Sequence, residues 1–285
     1  MIDSETVPAY CFANVNTPRP DASGEPGRFD RMQTLAKTNP ARLHPEPVRY
    51  RAIAAAERYG RGLPNLTDLA DRYGSDKGSS KHRYTELYNM LFQPFRDGPI
   101  GFLEMGLQIG GPELGQSQDR ATTDLPSVRM WLEYFSAATI IGLDVSDFGW
   151  FRHERFQFIR CDMDERANIV AAAATMPALD IIVDDASHAS HHQQNGFLDL
   201  FPKLNAGGLY IIEDLRWQPE PYERTGITRT ADLFQSYLRT GVFEHGDAGV
   251  AAGFNDLRLD ISGCFVFQVR YDKARRDQVA VIHKR

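Results

Sequence analysis

Two short apolar runs in the second half of the chain each end in acidic residues, and this pattern limits the possible folds more than any other feature. The run DIIVD is followed by Asp185 and His188, and the run LYII is followed by Glu213 and Asp214. Runs of this length, rich in Ile, Val and Tyr, predict buried β-strands. Because ligands of open α/β sheets bind at the carboxyl ends of the strands, we expect these four side chains to meet in one cleft.

Strand and helix signals alternate through most of the chain. Strands are predicted at residues 100–105, 139–145, 156–162 and 179–184, and helices at 128–135, 167–176 and 193–204. This alternation predicts a Rossmann-like α/β fold, with a mainly parallel sheet and helices on both faces. Gly207 is expected to end the last of these helices as a left-handed C-cap. Two runs joined by a short charged turn, at 264–270 and 278–283, predict a C-terminal antiparallel hairpin.

The first 64 residues differ in texture from the rest. They contain many Pro and Gly residues and show little periodicity, apart from a short helical pattern between Pro47 and Tyr59. We interpret residues 1–64 as an N-terminal arm or cap used in homo-oligomer contacts, and residues 65–285 as the main domain.

Composition and charge exclude several classes of partner. The 285 residues suffice to bury a full core, the net charge is −6, and no long basic run suggests a nucleic-acid backbone as the main partner. Cys11, Cys161 and Cys264 are far apart and form no CxxC pair, which favours reduced thiols. The start lacks the features of a secretory signal, and no apolar run approaches the roughly 20 residues that a membrane span needs. We therefore predict a cytoplasmic protein without a membrane partner.

Acidic residues also fall at the ends of the four predicted parallel strands, and a glycine turn at Gly106 follows the first of them. These acidic residues are Glu104, Asp144, Asp162 and Asp184. A glycine turn lets a ligand approach the backbone, and an acid after the second strand can accept the hydroxyls of a ribose. The glycine spacing does not match the dinucleotide fingerprint or a phosphate-binding P-loop. An acid just before the turn favours a cationic, adenosine-containing cofactor, although an Asp at a strand end also serves simply as a turn residue.

These motifs, taken in order, resemble a known family. FLEMG at 102–106, SVRMW at 127–131 and IGLD at 141–144 follow the order seen in class I S-adenosylmethionine-dependent methyltransferases. DDASH at 184–188 and GGLYIIED at 207–214 resemble the metal-dependent sugar O-methyltransferases of macrolide biosynthesis. The similarity covers roughly residues 66 to 215.

The resemblance implies S-adenosylmethionine and Mg²⁺ as cofactors and a sugar or glycosylated small molecule as the methyl acceptor. It implies that Asp185, Glu213 and Asp214 bind the metal and that His188 is the general base. An all-oxygen set suits Mg²⁺, and histidine, with a reference pKa of about 6.5, suits a base near neutral pH. The segment with Tyr73 and Lys77 resembles one that closes over the cofactor, and both are expected to bind it together with Glu104, Gly106, Asp144, Asp162 and Asp184.

Several alternatives stay open at this level. The residues at 109–126 and 215–222 depart from the family pattern, so the acceptor is not carried over, and a catechol-like phenol would chelate Mg²⁺ equally well. An NAD-dependent oxidoreductase, or a protein that only binds S-adenosylmethionine, are the other hypotheses. The spacing of His188, His191 and His192 suits a transition metal, but we interpret the last two as polar residues on a helix face. The stretch from Trp217 to Tyr222 is either a lid over a sugar ring or a surface loop.

Overall fold

The computed structural model describes residues 64–270 and 276–285. The predicted N-terminal arm lies outside these residues except for Pro64. Seven helices occur in the described part: α1 Leu66–Tyr73, α2 Tyr84–Phe92, α3 Pro126–Tyr134, α4 Arg166–Thr175, α5 Ser190–Leu200, α6 Thr230–Thr240 and α7 Ala248–Leu257. None of these described helices is long and apolar enough to cross a membrane.

Seven strands form one mixed sheet, as the sequence predicts. They are β1 Gly101–Met105, β2 Thr139–Asp144, β3 Phe156–Arg160, β4 Leu179–Asp184, β5 Leu204–Ile212, β6 Ile261–Arg270 and β7 Arg276–Lys284. Their order in the sheet is β3-β2-β1-β4-β5-β7-β6. Strands β1 to β5 are parallel, whereas β7 pairs antiparallel with both β5 and β6. The predicted parallel sheet and C-terminal antiparallel hairpin are confirmed.

The central strands are buried on both faces, which explains why they read as continuous apolar runs. One core cluster joins the sheet to α1, α2 and α3, and Phe102, Tyr88 and Trp131 lie in it. A second cluster on the opposite face joins the sheet to α4, α5, α6 and α7, around Phe197 and Tyr210. The predicted placement of helices on both faces is therefore confirmed.

One predicted helix boundary is wrong. Helix α5 runs from Ser190 to Leu200 rather than to residue 204, and a 3₁₀ turn at Phe201–Lys203 leads directly into β5. Pro202 explains the early end, because proline cannot donate the backbone hydrogen bond that continues an α-helix. Gly207 keeps a positive φ of 81°, but it lies within β5 and does not cap the helix.

Candidate active site

The register of the sheet brings three strand ends to one edge. Met105 of β1 is paired with Asp184 of β4, and Asp184 is paired with Ile212 of β5. The next residue along each of these strands, namely Gly106, Asp185 and Glu213, therefore emerges side by side. Two backbone hydrogen bonds continue the alignment: Asp185 N–H donates to Met105 O at 2.9 Å, and Glu213 N–H donates to Asp184 O at 3.0 Å.

The turn after β1 requires glycine for two reasons. Gly106 has a φ of +83°, a conformation that residues with a Cβ adopt only with strain. A Cβ at this position would also lie 2.7 Å from both the carbonyl carbon of Asp185 and the Cα of Ala186, and nearer still to the Asp185 carbonyl oxygen. The β1 turn and the β4 loop are thus packed backbone against backbone, and Gly106 lines two cavities, a small pocket and a larger cavity that are described below.

Asp185, His188 and Asp214 form one of three groups of acidic and histidine side chains, among the described residues, that are close enough together to hold a metal ion. One potential ligand atom from each residue lies within 4.8 Å of the others. His188 Nε2 is 3.6 Å from Asp214 Oδ2 and 4.0 Å from Asp185 Oδ1. Two carboxylates and an imidazole face one another here, as predicted from the strand ends.

The backbone at this group is strained. His188 and Asp214 have φ values of 62° and 53°, in the left-handed region that non-glycine residues rarely occupy. Such strain costs about 1–3 kcal/mol per residue and concentrates at functional sites. Tyr84 donates a hydrogen bond to Asp214 Oδ1. Burial alone would raise the pKa of Asp214, but His188 and the Asp277 carboxyl beside it lower that pKa to about 2.

Glu213, the third predicted metal ligand, is directed elsewhere in this structure. It is 1% exposed, and both of its carboxylate oxygens accept hydrogen bonds, Oε1 from Tyr88 at 2.5 Å and Oε2 from Lys77 at 2.8 Å. Burial and the neighbouring Asp185 raise the pKa of Glu213 well above its usual range, and Lys77 opposes that rise. Glu213 thus lies beside the Asp185–His188–Asp214 group but faces the interior.

Lys77 is the cation of this site. Its ammonium donates to Asp185 Oδ2 and to Glu213, and it lies 3.9 Å from Glu104 Oε1. Burial by itself lowers the pKa of Lys77, but the Asp185 and Glu213 carboxylates outweigh burial and raise it. Lys77 therefore carries its charge among three acidic side chains.

On the cofactor side, Asp144 is held by several donors at the end of β2. Its Oδ2 accepts from the Leu107 N–H and its Oδ1 from the Ser146 N–H, both at 2.8 Å, and Arg120 also donates to Oδ1. Asp144, Arg120 and Asp162 line a small pocket next to the Gly106 turn. Burial raises the pKa of Asp144, and the Arg120 guanidinium opposes that rise.

Glu104 is completely buried at the end of β1. Its Oε2 accepts from Ser127 Oγ at 2.8 Å, whereas Oε1 has no hydrogen-bond partner among the described residues. Burial raises the pKa of Glu104 to about 7, and Lys77 opposes the rise.

Three residues predicted to bind the cofactor, Glu104, Tyr73 and Asp184, line neither cavity in the described region. Tyr73 donates its hydroxyl to Glu133 of α3, and Arg129 covers its ring. Asp184 is 1% exposed beneath the sheet edge, where its nearest polar neighbours are the Ala186 N–H and the Tyr210 hydroxyl. The physical reason is orientation, since Asp184 lies on β4 itself and packs against α5 at Gly196.

A larger cavity borders the Asp185–His188–Asp214 group. Its volume of about 580 Å³ is within the range typical of small-molecule sites. Lys77, Asp185, His188 and Asp214 line it together with Trp217, whose ring meets the His188 ring edge to face at 5.3 Å between centroids.

No family model matches the sequence. The chain is 38% identical over 210 residues to the 8-demethyl-8-alpha-L-rhamnosyl tetracenomycin-C 2'-O-methyltransferase of Streptomyces olivaceus, covering 73% of this chain and 52% of that protein. It is 33% identical over 180 residues to the mycinamicin VI 2''-O-methyltransferase of Micromonospora griseorubida, covering 59% and 42%. The chain thus spans about half the length of the curated relatives it matches.

A solved structure, that of the MycE methyltransferase from the mycinamycin biosynthetic pathway in complex with Mg and SAH, superposes with a TM-score of 0.59. The identity is 26%, and the match covers 78% of this chain and 55% of MycE. The fold is that of a class I methyltransferase. The resemblance to metal-dependent sugar O-methyltransferases predicted from the sequence motifs is confirmed at the level of sequence and fold.

Several side chains of this candidate site escape sequence reasoning. Arg120 comes from a loop without a motif, Tyr88 from a helix that reads as an ordinary core helix, and Asp277 from the far end of the chain. Asp277 shows no local signal, because the antiparallel pairing of β7 with β5 is what carries it to Asp214. The Tyr spacing over 84–88 hints only at a buried helix face.

The interpretation of His191 and His192 as helix-face residues needs a correction. Both are buried, at 5% and 4% exposure, and the Nε2 atom of each lies 3.2 Å from Asp164 Oδ1. Burial lowers the pKa of His192 to about 4, so its ring is neutral at pH 7. His188 lies apart from this pair, beside Asp185 and Asp214, because its left-handed backbone precedes the start of α5 at Ser190.

Proposed function

We propose that this chain transfers a methyl group from S-adenosylmethionine to a hydroxyl of a sugar or of a glycosylated small molecule, with a divalent cation such as Mg²⁺. The observation that carries the proposal is the group of Asp185, His188 and Asp214 at the carboxyl ends of β4 and β5, next to the Gly106 turn. The MycE structure contains Mg and SAH, and the relatives named above are sugar O-methyltransferases, which supports the same cofactors here.

The side chains present fit both cofactors. Asp185 and Asp214 offer the hard oxygen donors that Mg²⁺ prefers, and Glu213 is the third candidate ligand. Asp144 and Asp162, in the small pocket, suit the ribose and adenine of an adenosine cofactor. A bound divalent cation would lower the pKa of a coordinated hydroxyl.

In this proposal the protein residues orient the acceptor and accept its proton. His188 lines the large cavity and accepts the proton of the acceptor hydroxyl as general base. Asp214 Oδ2 and Asp185 Oδ1 lie 3.6 and 4.0 Å from His188 Nε2. A positioned base typically contributes about 10²- to 10⁴-fold in rate. Trp217, 42% exposed at the same cavity, offers an apolar face for a sugar ring.

The proposal is tested first by calorimetric titration with S-adenosylhomocysteine and, separately, with NAD(H). Binding of S-adenosylhomocysteine alone is the expected result. Binding of NAD(H) alone would contradict the proposal and revive the oxidoreductase hypothesis.

A second test separates the metal site from the cofactor site. Asp185→Asn should lower turnover of a glycoside acceptor by at least about 10²-fold, while the dissociation constant for S-adenosylhomocysteine changes little. Asp256→Asn, an exposed substitution on α7, is the matched control and should change neither quantity. Loss of cofactor binding in Asp185→Asn would show that Asp185 belongs to the cofactor site.

A further inference from the structure

Lys77 occupies an unusual position for a lysine. Its side chain is 2% exposed, and lysine is almost never fully buried unless it is paired. Three carboxylates surround its ammonium: Asp185 and Glu213 accept hydrogen bonds from it, and Glu104 lies 3.9 Å away. A residue that reads from the sequence as part of a cofactor-closing segment thus lies within the proposed metal site.

Lys77 donates hydrogen bonds to carboxylate oxygens that are candidate metal ligands. Asp185 Oδ2 accepts a hydrogen bond from Lys77, whereas Oδ1 lies 4.0 Å from His188 Nε2. Glu213 Oε2 accepts a hydrogen bond from Lys77, and Oε1 accepts one from Tyr88. In this arrangement both oxygens of Glu213 and one oxygen of Asp185 accept hydrogen bonds, so a metal ion at these atoms would compete with the donors.

We propose that the Lys77 ammonium is a built-in counterion that competes with the divalent cation for Asp185 and Glu213, so that metal binding displaces the Lys77 side chain. The inference rests on the proposed function in taking Asp185 and Glu213 as metal ligands. Without a metal, Lys77 neutralises acids that would otherwise repel one another in a buried site. With a metal, the two cations repel each other strongly at short range, because burial weakens solvent screening.

The contacts of Lys77 indicate which part of it moves. Its carbonyl oxygen accepts from the Thr85 N–H at 3.1 Å and from the Thr85 hydroxyl at 3.0 Å, which ties its backbone to the first turn of α2. Its four-carbon side chain is flexible and borders the 580 Å³ cavity. Displacement therefore requires rotation of the side chain into the cavity and leaves the fold of the segment in place.

The test measures Mn²⁺ binding by calorimetry and by the electron paramagnetic resonance of free Mn²⁺, in the full chain and in Lys77→Met. Loss of the competing charge should tighten Mn²⁺ binding by at least about tenfold. Lys81→Met is the matched control, because Lys81 comes from the same segment but is 46% exposed in its ion pair with Asp76. The affinity of the Lys81→Met variant for Mn²⁺ should differ from that of the unsubstituted chain by no more than about twofold. Equal or weaker Mn²⁺ binding by Lys77→Met would overturn the inference.

A second measurement uses the unsubstituted chain, in case Lys77→Met does not fold. An amine-reactive label is applied with and without saturating Mn²⁺, and the modified lysines are quantified by mass spectrometry. Labelling of Lys77 should increase in Mn²⁺, with Lys81 as the internal reference, and an unchanged Lys77 rate would refute displacement. If neither the unsubstituted chain nor Lys77→Met binds Mn²⁺, the proposed metal site is wrong. If both bind Mn²⁺ and Lys77→Met does not bind it more tightly, only the proposed role of Lys77 is refuted.

Discussion

Replacement of Gly106 by alanine is the sharpest test of the turn between β1 and the cofactor pocket. The added Cβ would lie 2.7 Å from the Asp185 carbonyl carbon and from the Ala186 Cα, whereas ordinary contacts begin at 3.4 Å. The two loops must therefore separate by about 0.7 Å or more, the difference between those two distances. Both loops are tied to β-strands, so this separation strains the strand ends.

The magnitude has two parts. A φ of +83° costs an alanine about 1–2 kcal/mol. Overpacking against a fixed backbone adds about 1–3 kcal/mol. Gly207→Ala isolates the first part, because Gly207 has nearly the same φ, +81°, and an added Cβ there meets nothing within 4 Å.

The assay is urea denaturation followed by circular dichroism, combined with calorimetric titration of S-adenosylhomocysteine. Gly106→Ala should be less stable than Gly207→Ala by about 1–3 kcal/mol, the steric part alone. Gly106→Ala should also bind S-adenosylhomocysteine at least about tenfold more weakly, while Gly207→Ala binds it normally. Equal stability and equal binding in the two variants would refute the argument that the Asp185 backbone fixes this turn.

Three further substitutions test the charges and hydrogen bonds of the site. Burial raises the pKa of Asp184 from its ordinary 3.8 to about 7, so its contribution to stability is present below about pH 4 and is lost as the pH rises through 7. Relative to the unsubstituted chain, Asp184→Asn should therefore gain up to about 4 kcal/mol of unfolding free energy between pH 4 and pH 8, measured by urea denaturation; a constant difference would contradict this. Tyr84→Phe removes a donor to buried Asp214 and should cost about 1.5–3 kcal/mol in the same assay, with no change counting against that bond. Trp217→Ala should raise the KM for a glycoside acceptor about tenfold with little effect on S-adenosylhomocysteine binding, and an unchanged KM would remove Trp217 from the acceptor site.

Local sequence signals predict the framework of the site because they depend on near neighbours. The apolar runs before Asp144 and Asp185 predict buried strands, and the acids that follow must then emerge at the carboxyl edge of the sheet. The same logic fails at Gly207, where a glycine after a helical pattern predicts a cap. There the chain enters β5 instead, since pairing of Leu204 with Leu179 overrides the local preference.

Local sequence does not predict which partners the side chains of the site contact. Asp184 and Asp185 are adjacent in sequence, yet one packs beneath the sheet edge near Tyr210 and the other faces Lys77 and the cavity. Strand geometry explains the difference, because direction changes from one residue to the next and a strand end gives no sequence sign of which way the following residue turns.

The sequence by itself determined the parallel sheet with its antiparallel hairpin, the glycine turn, and the edge at which Asp185, His188, Glu213 and Asp214 collect. Each of these follows from periodicity or from residues a few positions apart. Only the tertiary structure decided that Lys77 lies among the acids, that Tyr88 and Lys77 engage Glu213, and that Asp277 comes to Asp214. Lys77, in the loop between α1 and α2, and Glu213, just after β5, are 136 positions apart, and no local pattern encodes a contact between two segments so distant in sequence.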